Sequence, residues 1–163
     1  MKRDLIFLFD NLRYDIDNVA YIVAQRTDNT ELRQKITDVT QDNNLDRVKR
    51  MLDLAYAEVN DLCYPYTKVL PGAPAGRDFN DISDKLRYVV HLDMPATTAK
   101  STLELVRERI NEYFTWKVME DWLKLNAPDL ARDYTDKTKE IGESIQSVLT
   151  SRMRMTTIKP STF

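Results

Sequence analysis

The sequence predicts a mainly α fold, a bundle of about four helices with a small β element and extended terminal and loop arms. Three observations lead there. Only three glycines occur among 163 residues, well below the usual ~7%, and tight hairpins and phosphate-cradling loops both need glycine. Apolar residues recur at helical spacing in four stretches. The stretch 85–94 instead alternates with a period of two, the mark of a half-buried strand.

The elements follow in order. Asp4 to Phe9 is a nearly continuous apolar run and reads as a short buried strand or an N-terminal arm. A helix is predicted from about 10 to 26, with Leu12, Ile16, Val19, Ala20 and Val23 on one face and Asp10 or Asn11 as its cap. Residues 27–44 are polar, with Leu32, Ile36 and Val39 as isolated anchors, and read as a loop with a turn of helix. A second helix, about 44–63, has the clearest period: Leu45, Val48, Leu52, Ala55, Val59 and Leu62, widened by Met51 and Leu54. Tyr64-Pro65 ends it, because proline disfavours helix in the residue before it.

Residues 64–84 hold Pro65, Pro71, Pro74, Gly72 and Gly76 without apolar period, and read as a long loop or docking arm. In the alternating stretch, Leu86, Tyr88, Val90, Leu92 and Met94 face one way. A lone strand leaves its backbone unsatisfied, so it must pair with residues 4–9 or with another subunit. A long helix, about 98–126 and capped by Thr97 or Thr98, carries Leu103, Val106, Ile110, Tyr113, Phe114, Val118, Trp122 and Leu125. Ala127-Pro128-Asp129 breaks it, with Pro128 suited to the first turn of a last helix reaching about Met153. The short break makes these two helices antiparallel neighbours. The chain therefore reads as one helical domain, 1–153, with a tail at 154–163. Leu52, Val59, Ile110, Phe114, Trp122, Ile145 and Leu149 are its predicted core.

Composition narrows the function. A chain with 42% hydrophobic and 31% charged residues lies near the globular average, and 163 residues suffice for one core without staples. The one cysteine, Cys63, allows no intramolecular disulfide, sits near the end of an apolar stripe and is expected to be buried and inert. No apolar run approaches the ~20 residues of a membrane span, and Leu5–Phe9 is too short for a signal peptide core. The expected site of synthesis is the cytoplasm of the producing cell.

Catalytic and metal chemistry finds no foothold. Zinc needs several Cys or His ligands, and the sole histidine, His91, lies on the polar face of a predicted strand, 28 residues from Cys63. No P-loop or G-x-G-x-x-G is present. Asp78, Asn80, Asp81 and Asp84 lack the spacing, the glycine and the closing glutamate of an EF-hand loop. Asp129, Asp133, Asp136, Glu140 and Glu143 alternate with bases and read as a solvated helix face. No enzyme activity, metal or cofactor is expected.

Charge is uneven along the chain. Residues 101–150 hold seven bases and ten acids, a net of −3, whereas residues 151–163 hold Arg152, Arg154 and Lys159 and no acid. Such a tail seeks an acidic surface, and Ile158 and Phe163 could fill apolar pockets there. Trp116 falls off the main stripe of its helix, and tryptophan is over-represented among interface hot spots. Arg152, Arg154, Ile158, Lys159, Phe163 and Trp116 are thus the candidate partner-binding residues. Nucleic acid is a poor candidate, since three basic residues would bind phosphates weakly and in a salt-dependent way.

The stretch Asn111-Glu-Tyr-Phe-Thr-Trp-Lys-Val-Met-Glu-Asp-Trp-Leu-Lys-Leu-Asn-Ala-Pro128, with the alternating strand before it and the charged helix and Pro-x-x-Phe tail after it, resembles head–tail connector (adaptor or ring) proteins of tailed phages, especially those of gut Bacteroidetes. The resemblance covers residues 85–163. It implies a structural virion protein at the head–tail interface, made in the host bacterial cytoplasm. It further implies a cyclic homo-oligomer of about twelve subunits closed by heterologous contacts, which engages the portal protein and adjacent ring or tail proteins. Contact with a membrane is not implied, and contact with DNA would be incidental to the lumen. A small cytosolic helical protein–protein interaction module is the alternative.

Overall fold

A computed structural model describes residues 2–64, 66–67 and 86–152. Most of the arm expected at 64–84, with Asp78, Asn80, Asp81 and Asp84, lies outside the described residues, as does the tail at 154–163. Within them the fold is mainly α, with five helices and one two-stranded antiparallel sheet.

Strand β1 (Lys2–Leu8) pairs with β2 (Arg87–Asp93) in the register Leu5↔Val90 and Phe7↔Tyr88. The partner for the alternating strand is therefore within the chain. Leu5, Phe7, Tyr88, Val90 and Leu92 face the core, and Phe7 meets Phe114 edge-on at 5.3 Å between ring centroids. Strand β1 is not buried on both faces as its apolar run suggested, because Ile6 and Leu8 point to solvent. Leu86 is also exposed, lying one residue before β2 begins.

Helix α1 (Phe9–Ala24) follows β1 without a loop. Asp10 and Asn11 are not its caps. The helix starts one residue earlier, with Leu8 at the cap position, so Asp10 and Asn11 fall inside its first turn, while the Phe9 amide donates to the Leu86 carbonyl at 2.9 Å. Residues 27–44 are more ordered than a loop: α2 (Thr30–Thr37) is followed by 3-10 turns at 38–40 and 42–44. Asn29 caps α2, its side-chain oxygen accepting from the amides of Glu31 and Leu32. Ile36 and Val39 are buried, and Trp122 ties the segment down by donating to the Lys35 carbonyl at 3.0 Å.

Helix α3 (Leu45–Leu62) buries Val48, Met51, Leu52, Ala55 and Val59, while Leu54 lies outside the seam and is exposed. Helix α4 (Lys100–Asn126) has 27 residues, roughly 40 Å of helix. It opens after Ala99 with no side-chain cap, so neither Thr97 nor Thr98 fills that role. Leu125 is exposed near its end. Helix α5 (Pro128–Arg152) starts on proline as expected and returns antiparallel, bringing Tyr134 against Trp116 and Gly142 against Tyr113. Helices α1, α2, α3 and α5 all pack on α4, and all seven predicted core residues are buried.

Leu52→Ala and Ile110→Ala should each lower unfolding free energy by about 2–5 kcal/mol, because the cavity adds to the lost transfer energy. Leu54→Ala and Leu125→Ala, on solvent-facing positions, should each change it by less than about 1 kcal/mol. Urea denaturation of the four variants would separate the pairs, and equal losses would contradict these helix phases.

Candidate partner-binding surface

Of the six expected partner-binding residues, Trp116 and Arg152 fall within the described residues, and they stand far apart. Trp116 is half-buried on α4 and stacks on Tyr134 of α5, with centroids 5.3 Å apart and planes 14° from parallel. The ammonium of Lys137 lies 3.7 Å from the Trp116 ring centroid, a cation–π contact. Tyr134 in turn accepts from Arg26 at 3.1 Å. Trp116 is thus engaged by its own chain, and a partner would have to cover or displace Lys137 to reach it. Arg152 is exposed at the end of α5, eighteen residues beyond Tyr134 and so roughly 27 Å along the helix. Arg154, Ile158, Lys159 and Phe163 lie outside the described residues.

Where α3, α4 and α5 meet, a charge cluster runs into the interior. Glu120 is only 3% exposed. Its carboxylate accepts from Lys124 and from Thr135, the latter at 3.3 Å, and lies 3.8 Å from the Lys117 ammonium. Lys117 also stands 3.6 Å from Glu58 and 3.7 Å from Asp121, and Tyr113 donates to Glu58 at 2.7 Å. A buried charge persists only when paired and hydrogen-bonded, and Glu120 meets that condition. Burial and the neighbouring Glu120 push the Asp121 carboxyl above its ordinary range, while Lys117 pulls the other way. The Glu120 hydrogen bond holds the Lys124 ammonium above its ordinary value. Nothing in the sequence pattern singled out Glu120, because acids are common on this helix. The cluster is wired for packing three helices together, with no unpaired nucleophile beside a base.

Cys63 is buried at the end of α3, and desolvation pushes its thiol up to about 12. His91 is exposed on the outer sheet face, its Nδ1 2.8 Å from Asp4 across the strand pair. Among the described residues no group of His, Cys, Asp and Glu is placed to hold a metal ion, and no helix is long and apolar enough to cross a membrane.

Two apolar surfaces stand open among the described residues. One is the outer sheet face with Ile6 and Leu8, whose strand β1 has no partner on its other edge. The edge of β2 is served differently: Tyr56 donates to the Val89 carbonyl at 2.7 Å, and the Asp93 amide donates to the Tyr66 carbonyl at 2.8 Å. The second surface is the outer arc of α1, where Tyr14, Tyr21 and Ile22 are 68%, 63% and 57% exposed. Sequence reasoning missed these three. Their signal was their position off the Leu12–Val23 stripe, in a helix short enough to have only one buried face. No family of known proteins, no curated protein and no solved structure matches this chain.

Glu120→Ala should cost on the order of 2–4 kcal/mol, since it leaves Lys117 and Lys124 beside an empty acceptor. Asp121 carries the pH signature. A carboxyl whose folded value is raised contributes stability below its unfolded value, near 3.8, and that contribution is lost as pH rises through the folded value. Asp121→Asn should therefore gain in melting temperature over wild type as pH rises from about 3.5 to 7, and a constant difference would refute the assignment. The Cys63 thiol should react with an aromatic disulfide reagent only at the rate of global opening. Labelling much faster than unfolding would show that Cys63 is not interior.

Proposed function

We propose that this chain is a non-catalytic structural protein of a tailed-phage particle, a connector subunit between portal and tail in a cyclic homo-oligomer. The observation that carries the reading is the α4–α5 helical hairpin: the Asn111–Pro128 pattern lies on it, a β-strand closely followed by Pro95 precedes it, and residues 151–163, from the end of α5 onward, hold three bases and no acid. Among the described residues, the β1 edge without a strand partner and the exposed arc of α1 are consistent with a role in binding other chains.

A second reading, a cytosolic helical interaction module, is favoured by the completeness of the core. Leu52, Val59, Ile110, Phe114, Ile145 and Leu149 are all sealed within one chain, so the fold needs no neighbour to bury them. The two readings diverge in assembly, since a connector must enter a particle and a module need not.

The tail is the tether in the connector reading. Ordering an arm costs roughly 1–2 kcal/mol per backbone residue, so its partner must supply acidic groups for Arg152, Arg154 and Lys159 and pockets for Ile158 and Phe163. Deleting residues 155–163 should leave the melting temperature of the isolated protein within about 2 °C of wild type while abolishing incorporation into particles. Mass spectrometry of purified particles from a producing strain reads the second outcome. Normal incorporation of the truncated chain would sink the tether, and absence of the intact chain from particles would sink the connector reading.

A further inference from the structure

The arc of α1 has a shape and a charge that specify an occupant. Tyr14 stands as a ridge between two surface depressions. One, of about 290 Å³, is lined by Asn11, Tyr14, Asp15, Arg107, Glu108 and Asn111. The other, of about 400 Å³, is lined by Asp10, Arg13, Tyr14, Asp17, Thr40 and Gln41. Each holds two acids and one base, and Asp42, 3.3 Å from Arg13, offsets the base of the second. The surface therefore carries five acids and two bases, a net of −3. Two of the acids are fixed in place: Asp15 accepts from Asn111 at 2.8 Å and Asp17 from Thr40 at 2.6 Å. Acids held rigidly around exposed tyrosines lose little freedom when a basic ligand arrives.

The matching charge is in the same chain. Residues 152–163 hold Arg152, Arg154 and Lys159 with no acid, a net of +3, and Met155 and Ile158 sit between the bases. We infer that the outer face of α1, with Tyr14 at the centre of the acidic surface and the exposed Tyr21 and Ile22 further along the helix, is the receptor for the basic segment 152–163 of a second copy of this chain. This rests on the reading of that segment as an intermolecular tether. Arg26, two residues past the end of α1, donates to Tyr134 of α5 at 3.1 Å, and Arg152 is the last residue of α5, eighteen residues beyond Tyr134, so a tail docked on its own α1 is the competing outcome and would leave the wild type monomeric. Docking one copy's tail on the next copy's α1 is a heterologous contact, which propagates to a ring or a filament. The tyrosines act as amphipathic anchors, giving apolar area to Met155 and Ile158 while their hydroxyls stay wet.

The test uses full-length protein in sedimentation velocity at low ionic strength. Wild type should gain average mass with concentration and lose it as salt rises, since exposed ion pairs are screened. A face variant, Tyr14→Ser with Tyr21→Ser, and a tail variant, Arg154→Ser with Lys159→Ser, should each associate at least about tenfold more weakly. Both should melt like wild type, because the substituted tyrosines are exposed. An equimolar mixture of the two should recover a two-chain species, as one intact face meets one intact tail. A mixture that stays monomeric, or a wild type that is monomeric throughout, overturns the inference. Association lost in the tail variant but kept in the face variant overturns the α1 receptor alone and leaves the tether standing. Association indifferent to both variants removes the tether between copies as well, whereas the connector reading is decided separately by presence in particles.

Discussion

Every layer of this fold depends on burying α4 along its length. The sheet meets it at Phe114, α3 and α5 meet it around Tyr113, and α2 meets it at Trp122. A helix packed by several elements along its length cannot keep one clean apolar stripe, and some of its polar residues are carried inside. Thr102, Thr115 and Glu120 are all inside. Thr115 turns its hydroxyl back to the Asn111 carbonyl at 3.1 Å, and Glu120 finds cations on its own helix. These are local solutions to a global constraint, and they explain why a helix rich in charge can still serve as the axis of the core.

The sequence was most legible where one helix face meets one core. The α3 seam predicted 44–63 and the helix spans Leu45–Leu62. Alternation alone predicted the strand and its inward residues from Tyr88 to Met94. The losses lie at boundaries and at half-buried positions. A hydroxyl or carboxylate caps a helix only if it stands just before the first helical residue. At α1 the strand runs straight into the helix at Phe9, so Asp10 and Asn11 lie inside the first turn. Leu54, Leu86 and Leu125 fail in the same way, because an apolar residue next to a stripe adds little if no facing element is wide enough to cover it. The polar stretch 27–44 hid a helix because its anchors, Leu32, Ile36 and Val39, are too few to display a period.

The interior charges around Glu120 pull stability and specificity apart. A well-packed apolar residue at that position could match or exceed the pair in stability. What the acid adds is direction: Lys117 and Lys124 lie on the same helix, but Thr135 belongs to α5 and Glu58 to α3. A helix that slid or rotated would strand a charge in a poorly hydrated place, so the network penalises wrong registers of the three-helix junction more than it rewards the right one. The Asp121 carboxyl is raised chiefly by its burial and further by the neighbouring Glu120.

The candidate surface was less legible than the core, for a reason that concerns tryptophan. Residue-type statistics favoured Trp116, since tryptophan anchors many interfaces. Those statistics count tryptophans already known to be at interfaces, whereas a tryptophan on a packed hairpin has intramolecular competitors nearby. Here Tyr134 and Lys137 occupy its two neighbouring positions, and most of what it could offer a partner is already used. Tyr14 and Tyr21 face outward because Leu12, Ile16 and Val23 face inward, and Asn18 between them is itself exposed. The acids beside them make a purely apolar partner unfavourable. Under the docking proposed for this face, a surface that combines both features would favour a chain that brings apolar groups and positive charge together over one that brings either alone.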